Sequence, residues 1–345
     1  MGILSKTTDY FGIDIGATAV RLVQLKKHGS KPVLVAYGST ALSANLIASD
    51  AADAADKLAA TIKTLVKDAG ITTKSVVAAL PASKVFAAGI TTPKVSAAEL
   101  GQAVKYQADQ YIPMPIDQVR LDWTVLGPAK NENEQLVLLI AAPNATTEKY
   151  LHIFEKAGLE LVALEVDVTA LSRAVLTADA GQVVMLDIGS LASTVSLVVN
   201  GTPRLIHSVP VGAAAFVQAL GQGLKIDANE AMAMVQKFGM SKSAMEGKVL
   251  KSLQPIAETI LEEIKKSIAF YYNENPDAKF EKLVFTGGAA GMPGLPLFVA
   301  NSLKLPVELG NAWLNVSYPS DMQQDLAAIN RDYAVAVGCA ARMVM

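Results

Sequence analysis

Cysteine and histidine are scarce in this chain. Among its 345 residues Cys339 is the only cysteine, so no intramolecular disulfide can form and the sequence suits a reducing compartment. The three histidines, His28, His152 and His207, are too widely spaced for a ligand motif. We therefore do not predict a metal centre built on histidine.

An excess of charge of one sign and long hydrophobic runs are also missing. The formal net charge is −2 and no run is rich in lysine or arginine, so nucleic-acid binding is not predicted. Apolar runs such as 136–143 and 334–341 fall well short of the ~18 residues of a membrane span. The start, MGILSKTTDYFG, lacks the apolar core of a signal peptide, and Lys6 breaks the myristoylation pattern. We expect no direct membrane span.

Charged residues are few overall. They make up 18% of the chain, below the ~25% typical of soluble domains, whereas 51% of residues are hydrophobic. This balance predicts that part of the surface is covered by other molecules. We expect a protein that works inside an assembly, and a homo-oligomer is one form of it.

What the sequence does contain is an acid at the end of an apolar strand. The stretch FGIDIGATAVRLVQL, residues 11–25, predicts a strand ending at Asp14, a tight turn at Gly16-Ala17-Thr18 and a second strand from Val20. Gly16 can take a positive φ, and the small turn residues let backbone N–H groups face a ligand. Amides beside a carboxylate suit a phosphate with its divalent cation.

The same pattern occurs a second time. VVMLDIGSLASTVSLVVNG, residues 183–201, places Asp187-Ile188-Gly189-Ser190 between two apolar strands. A single copy is also typical of an ordinary hairpin corner, but two copies predict two similar lobes with a cleft between them. This arrangement resembles the architecture shared by actin, the heat-shock chaperone ATPases and the sugar kinases, in which both hairpins hold one nucleotide.

Later stretches predict further helices and strands. Ile256, Ile260, Ile264 and Ile268 recur every fourth residue in an amphipathic helix over 255–272, with Pro255 suited to its first position. KLVFTGGAAGMPG, residues 282–294, predicts a strand followed by paired glycines, whose bare backbone lets a flat ring or a ribose approach. Neither the G-x-G-x-x-G spacing of a dinucleotide fingerprint nor a Walker A sequence is present.

These motifs resemble the PilM family of actin-like proteins of type IV pilus assembly and, more distantly, the division protein FtsA. GIDIGATAVRLVQL and LDIGSLASTVSLVVNG are similar to the two phosphate motifs, FTGGAAGMPG to the adenosine motif and YAVAVGCAAR to the terminal helix. ADQYIPMPIDQVRLDWTVL, residues 108–126, resembles the tyrosine-isoleucine-proline segment of the inserted subdomain 1C. The resemblance covers nearly the whole chain.

The resemblance implies an α/β fold: an actin-like, ribonuclease-H-like, two-lobed ATPase fold with an inserted 1C subdomain. The expected divisions are a first-lobe start (1A) at 1–84, the 1C insert at 85–160, a return to the first lobe with the interlobe connection at 161–182, the second lobe (2A/2B) at 183–330, and a C-terminal helix returning to the first lobe at 331–345.

The resemblance also implies that ATP and Mg²⁺ bind between the lobes. Asp14 and Asp187 would hold the metal directly or through water. Residues matching the nucleotide site are Asp14, Gly16, Ala17, Thr18, Arg21, Asp187, Gly189, Ser190, Ser193, Gly212, Lys266, Gly287, Gly288 and Gly291. Glu165 and Asp167, in the connection, are the candidate catalytic acids, although Asp167 also suits a helix N-cap.

The chain departs from the family pattern at three positions. Ala213 stands where a second glycine is usual, and Met232 and Val235 stand where the family commonly places glutamate and lysine facing the adenine. These departures bear on base-specific nucleotide binding and leave the fold prediction unchanged.

Docking of a membrane protein's tail is the other implied function. The family resemblance implies binding of the N-terminal cytoplasmic tail of a PilN-like membrane protein beside subdomain 1C, and contact with other pilus assembly proteins. Location would then be cytoplasmic, at the inner face of the membrane through that partner. Candidate groove residues are Tyr106, Tyr111, Ile112, Pro113 and Trp123, although each also suits the insert's own core.

Three alternatives share the superfamily fold. A sugar-kinase-type enzyme would need a substrate pocket with a general base, for which only Glu165 and Asp167 are candidates, so ATP hydrolysis is open. An FtsA-like division filament would carry a C-terminal linker and a membrane helix beyond the last core helix. The related cytoplasmic region of a type II secretion component would continue into a transmembrane segment. Neither extension is found in this sequence.

Overall fold

The computed structural model describes residues 9–344 except 30, 43–45, 47, 48 and 50. Strands in the described residues are β1 Phe11–Ile15, β2 Ala19–Lys26, β3 Val33–Ala41, β4 Ser75–Leu80, β5 Phe86–Pro93, β6 Val119–Pro128, β7 Glu134–Pro143, β8 Glu160–Val166, β9 Gln182–Ile188, β10 Ser193–Val199, β11 Thr202–Val209, β12 Lys282–Thr286 and β13 Val307–Leu309. Helices are α1 Ala52–Asp68, α2 Ala97–Tyr111, α3 Asn144–Ala157, α4 Asp167–Val175, α5 Ala213–Leu224, α6 Ala228–Phe238, α7 Lys248–Glu274, α8 Leu295–Leu303, α9 Gln323–Ile329 and α10 Ala334–Ala341.

Two five-stranded sheets have the same topology. The first has the order β3-β2-β1-β4-β8 and the second the order β11-β10-β9-β12-β13. In each, the central strand (β1 or β9) pairs antiparallel with the next strand in sequence and parallel with the strand on its other side. The two sheets with their covering helices are called here the first lobe and the second lobe. Their shared topology confirms the two-lobed fold.

Local sequence explains most of these elements. Every residue of β4, SVVAAL, is buried, as expected for a central parallel strand. Helix α1 buries Leu58, Ile62 and Leu65 on one face and is followed by Gly70, which has a φ of +70°. Helix α2 begins with a capping interaction, because the Glu99 carboxylate accepts hydrogen bonds from the Ser96 backbone N (3.2 Å) and Oγ (2.7 Å).

The long helix α7 begins earlier than predicted. It starts at Lys248, so Pro255 lies inside the helix and not at its first position. Val249 and Leu253 extend the buried stripe of isoleucines by two turns. Their burial compensates for the backbone hydrogen bond that a proline cannot donate within a helix.

A small three-stranded sheet of order β5-β7-β6 lies between β4 and β8 in sequence. Helix α2 packs on one face of it, around Ile90, Leu100, Val104 and Leu139. Helix α3, which the predicted insert 85–160 includes, instead contributes Tyr150, Ile153 and Phe154 to the core of the first sheet. The elements with their own small core therefore span 86–143, and they are called here the small subdomain.

Helices α4 and α10 join the two lobes. They share one buried cluster that contains residues of the first sheet, such as Val23, and of the second, such as Met185. Small residues permit their contact: a Cβ on Gly338 of α10 would overlap the carbonyl oxygen of Ala170 in α4. Likewise, a Cβ on Gly12 of β1 would overlap the backbone of α10. The terminal helix thus returns to the first sheet.

Candidate functional site

The two acid-containing hairpins have matching geometry. Gly16 N donates to Ala19 O at 3.0 Å, and Gly189 N donates to Ala192 O at 3.0 Å, which closes a four-residue loop in each case. Asp14 lies one pair back from its loop, opposite Arg21, and Asp187 lies at the same position in its own hairpin, opposite Thr194. Each lobe therefore offers one carboxylate beside one tight loop, as the sequence predicts.

The carboxylates of Asp14, Asp167 and Asp187 lie close enough to affect one another. Burial raises the pKa of Asp14 to about 6; the Arg21 guanidinium lowers this pKa, whereas the charge of Asp187 raises it. Burial also raises the pKa of Asp187, while a hydrogen bond from Thr286 Oγ1 at 2.9 Å lowers it. Like charges therefore meet in this cleft, and a cation bound there would lower the cost of holding Asp14 and Asp187 ionised.

Asp167 is held in place by the first lobe. Ala82 N lies 3.1 Å from each of its carboxylate oxygens, and Val168 N donates to Oδ1 at 2.7 Å. Burial, followed by the charge of Asp187, raises its pKa to about 8 in spite of these donors. A raised pKa favours the protonated carboxyl, and a positive charge bound beside it would favour the ionised form that can accept a proton.

Sequence reasoning missed a contact made by Arg21. Its Nη2 lies 3.3 Å from Oδ1 of Asp332, in the turn that precedes α10. The same turn carries Arg331, whose guanidinium lies against Gly291. Asp332 and Arg331 are thus further cleft residues, and no motif of the sequence marked them, because the turn has no phosphate-binding pattern.

Glycines of the second lobe allow close approach of backbone to the acids. Gly287 has a φ of +84°, and a Cβ there would lie 2.5 Å from Ile188 O and 2.8 Å from Asp187 Oδ1. A Cβ on Gly288 would meet only Asp332 Oδ1, at 3.5 Å. Gly287 is therefore required by packing against the second hairpin, whereas the surface of Gly288 is more open.

The second hairpin loop is tied to helix α5. Ala213 N donates to Gly189 O and Ala214 N donates to Ser190 O, both at 2.9 Å. A Cβ on Gly212 would overlap the same loop, at 2.6 Å from Ser190 O. The backbone N–H of Ala213 thus supports the loop of the second hairpin. Ser193 is fully buried and its Oγ donates to Val211 O, so this predicted phosphate residue faces the protein interior.

Glu165, Lys266 and Val235, which the sequence places near the nucleotide, make their contacts away from the cleft acids. Glu165 is buried and its carboxylate accepts hydrogen bonds from Arg173 (2.9 Å to each oxygen) and Arg342 (2.8 Å), the arrangement of a structural ion pair. Lys266 is exposed and pairs with Glu263 at 2.6 Å. Val235 is only 6% exposed and packs in the core of the second lobe, so it cannot face a base, whereas Met232 is 49% exposed.

The predicted groove residues divide into two groups. Tyr106 and Tyr111 are 74% and 46% exposed, and Pro113 is also exposed. Ile112 is 7% exposed and belongs to the small core, and Trp123 packs against Gly101, with ring carbons 3.3 and 3.4 Å from where a Cβ would stand. Met114 adds exposed apolar surface beside Pro113, which sequence reasoning did not single out.

The donor set is consistent with magnesium. Mg²⁺ commonly keeps several waters and is held by one or two carboxylates plus phosphate oxygens. Asp14 and Asp187 are the candidate pair for such a site, and among the described residues no group of three or more acidic, histidine or cysteine side chains could hold a metal ion. No helix in the described part of the chain is long and apolar enough to cross a membrane.

Comparison with known proteins gives a consistent result. A family model described as "Type IV pilus assembly protein PilM" matches residues 12–344. The solved PilM-PilN type IV pilus biogenesis complex is similar at 25% identity, covering 97% of this chain and 98% of that chain with a TM-score of 0.83.

Two more distant structures share the fold. Ethanolamine utilization protein EutJ from Carboxydothermus hydrogenoformans is 16% identical, with 96% of this chain and 89% of that chain covered and a TM-score of 0.57. MreB 5 of Spiroplasma citri bound to AMPPNP is 12% identical, with 96% and 95% covered and a TM-score of 0.54. These likenesses concern the fold alone, and they confirm the predicted actin-like architecture.

Proposed function

The chain belongs to the family of type IV pilus assembly proteins PilM, and on that premise we propose that it is a nucleotide-binding scaffold of the pilus assembly complex at the inner membrane. It would bind ATP with Mg²⁺ between its lobes and dock the N-terminal cytoplasmic tail of a PilN-like membrane protein. Its location would be cytoplasmic, at the inner face of the membrane through that partner.

The observation that carries the nucleotide proposal is the pair of matching hairpins around one acidic cleft. The loop amides at Gly16–Thr18 and Gly189–Ser190 would hold phosphate oxygens, and Asp14 and Asp187 would hold Mg²⁺, partly through water. A bound cation stabilises the ionised acids and so offsets the unfavourable burial that raises their pKa values. The solved MreB 5 bound to AMPPNP is an actin-like protein that holds a nucleotide, which supports the same site here.

The residues expected near the base offer few contacts that would distinguish one base from another. Gly288 leaves open surface beside the second hairpin, but Met232 offers no hydrogen bond to adenine and Val235 is buried. We therefore expect weak discrimination between bases.

Asp167 is the remaining candidate acid for orienting water, since the carboxylate of Glu165 is fully occupied by hydrogen bonds from arginines. A raised pKa makes Asp167 a poor base until the cation binds, so we expect slow turnover or none.

The docking proposal is supported by the small subdomain. The similar PilM structure is a complex with PilN, and Tyr106, Tyr111 and Pro113 supply exposed aromatic and apolar surface of the kind that anchors peptides. Contact with other pilus assembly proteins would extend this role, as the low charged fraction of the chain suggests.

Isothermal titration with Mg²⁺-ATP tests the nucleotide site. We expect roughly micromolar binding to the wild type, and Asp187→Asn should weaken it about tenfold or more, or about 1.4 kcal/mol. Asp109→Asn, an exposed acid on α2, is the matched control and should bind normally. GTP should bind within about threefold of ATP, because no base-specific contact is expected. If the wild type gives no binding heat, the proposed nucleotide site is contradicted, and the chain would then be a docking protein that holds no nucleotide.

A further inference from the structure

One face of strand β11 contacts the small subdomain across the gap between the lobes. β11 is the edge strand of the second sheet. Ile206 and Ser208 alternate onto the same face of it, and Arg204 lies at a register shift in its pairing with β10. Arg204 Nη1 donates to Leu126 O of β6 at 2.5 Å. Ile206 packs against the buried cluster of Ala82, Val166 and Val168 in the first lobe. The contact of β11 with the small subdomain and with the neighbouring residues 82–85, 166 and 168 of the first lobe is called here the seam.

The acceptor in the seam is a bulge carbonyl. The pairing of β6 with β7 shifts its register between Val125 and Gly127, which places Leu126 at the irregularity. A β-bulge leaves backbone groups of the extra residue outside the ladder of hydrogen bonds. The carbonyl of Leu126 is therefore available to an arginine of the other lobe.

The rest of the seam is incompletely packed. A cavity of about 320 Å³ is lined by 82, 83 and 85–87 on one side and by 206–208 on the other. Arg204 Nε and Ser208 Oγ are buried, and neither has a hydrogen-bond partner among the described residues. Because a buried polar atom without a partner destabilises the state that buries it, these two atoms favour opening of the seam.

Ala82 links the seam to the cleft. Its side chain lines the seam cavity, and its backbone N–H donates to the carboxylate of Asp167. Ala82 therefore belongs both to the seam and to the surroundings of the cleft acid.

We propose that the hydrogen bond from Arg204 to Leu126 is a clasp that holds the small subdomain against the second lobe, and that its release opens the interlobe cleft. Because the clasp joins the small subdomain to the second lobe, it couples the state of the cleft to the surface that would dock the partner's tail. That coupling rests on the proposed function, whereas the clasp itself does not.

Hydrogen–deuterium exchange of the full chain tests the clasp without any ligand. In Arg204→Gln, the amides of Thr202–Val209 and Phe86–Pro93 should exchange about tenfold faster than in the wild type. Arg120→Gln removes the same charge from an exposed position of β6 and should leave both segments unchanged. Equal exchange in Arg204→Gln and the wild type would overturn the proposal. If the glutamine variant fails to fold, Arg204→Met, which keeps an apolar stem and has no donor, should show the same faster exchange, and unchanged protection in it would overturn the proposal.

Release of a fluorescent ATP analogue then tests the coupling. Loaded Arg204→Gln should release it at least about fivefold faster than the wild type and Arg120→Gln. An unchanged release rate together with faster amide exchange would overturn the coupling while the clasp stands. If the wild type binds no nucleotide, the proposed nucleotide function fails, and the amide exchange alone still decides the clasp.

Discussion

At the scale of single residues, the cleft acids determine how stability depends on pH. Burial raises the pKa of Asp14 to about 6 and that of Asp167 to about 8, from an ordinary value of 3.8. Between pH 3.8 and the raised pKa of each acid, the folded protein holds a proton that the unfolded chain has released. The contribution of both acids to stability is therefore fully present below about pH 3.8. The part due to Asp14 is lost as the pH rises to about 6, and the part due to Asp167 is lost as the pH rises to about 8.

Asp167→Asn removes one of these charges. The amide oxygen can still accept from Ala82 N, so the fold should be kept, and the variant should gain roughly 1–3 kcal/mol over the wild type at pH 9. At pH 4 the gain should be small, because the wild-type carboxyl is then protonated in the folded protein. Urea unfolding at both pH values measures the two differences, with Asp109→Asn as the exposed control. An equal gain at pH 4 and pH 9 would contradict the assigned burial cause.

At the scale of elements, helix α2 and the segment after it carry two roles at neighbouring positions. Ile112 fills the core of the small subdomain, whereas Tyr106 faces solvent. A core residue and a docking residue can therefore be separated by substitution, although the sequence pattern treats both as apolar.

Ile112→Ala should lower the free energy of unfolding by about 2–4 kcal/mol through the cavity it leaves. Tyr106→Ala should change stability by less than about 0.5 kcal/mol but weaken binding of a PilN-like tail peptide about tenfold. Urea unfolding and a chemical-shift titration with the peptide measure the two effects. Phe270→Ala, an exposed aromatic on α7 of the second lobe, is the control. A wild-type titration without shifts on the small subdomain would remove the docking proposal.

At the scale of the whole molecule, the two lobes meet through helices α4 and α10. Their contact depends on Gly338, since any side chain there would overlap the backbone of Ala170. Because the buried cluster around this pair includes strands of both sheets, disruption at this point should affect both lobes together.

Gly338→Ala should lower the free energy of unfolding by about 3 kcal/mol or more, since a backbone overlap in a packed core forces the helices apart. Gly89→Ala is the matched control: its Cβ would meet only Arg204 O at an ordinary 4.0 Å. Thermal unfolding of both variants measures the difference. A melting temperature equal to that of the wild type would show that the helix pair tolerates displacement.

The sequence by itself determined the local elements and the duplicated hairpins. Apolar alternation, a glycine turn and an acid at a strand end are local patterns, so the strands around Asp14 and Asp187 were predictable, as was the helix after the Gly287-Gly288 pair. The long helix was predicted in part: a proline usually marks a helix start, but burial of Val249 and Leu253 extended this one past Pro255.

Only the tertiary structure decided which side chains share the cleft and which do not. Asp167 meets Ala82 across 85 positions of sequence, and Arg21 meets Asp332 across the two ends of the chain. Glu165 lies only two positions before Asp167, but its carboxylate accepts hydrogen bonds from Arg173 and Arg342. These contacts depend on how the sheets and helices pack in three dimensions. Burial and charge act between residues that are distant in sequence, and a local sequence pattern does not show which distant residue will lie beside a given side chain.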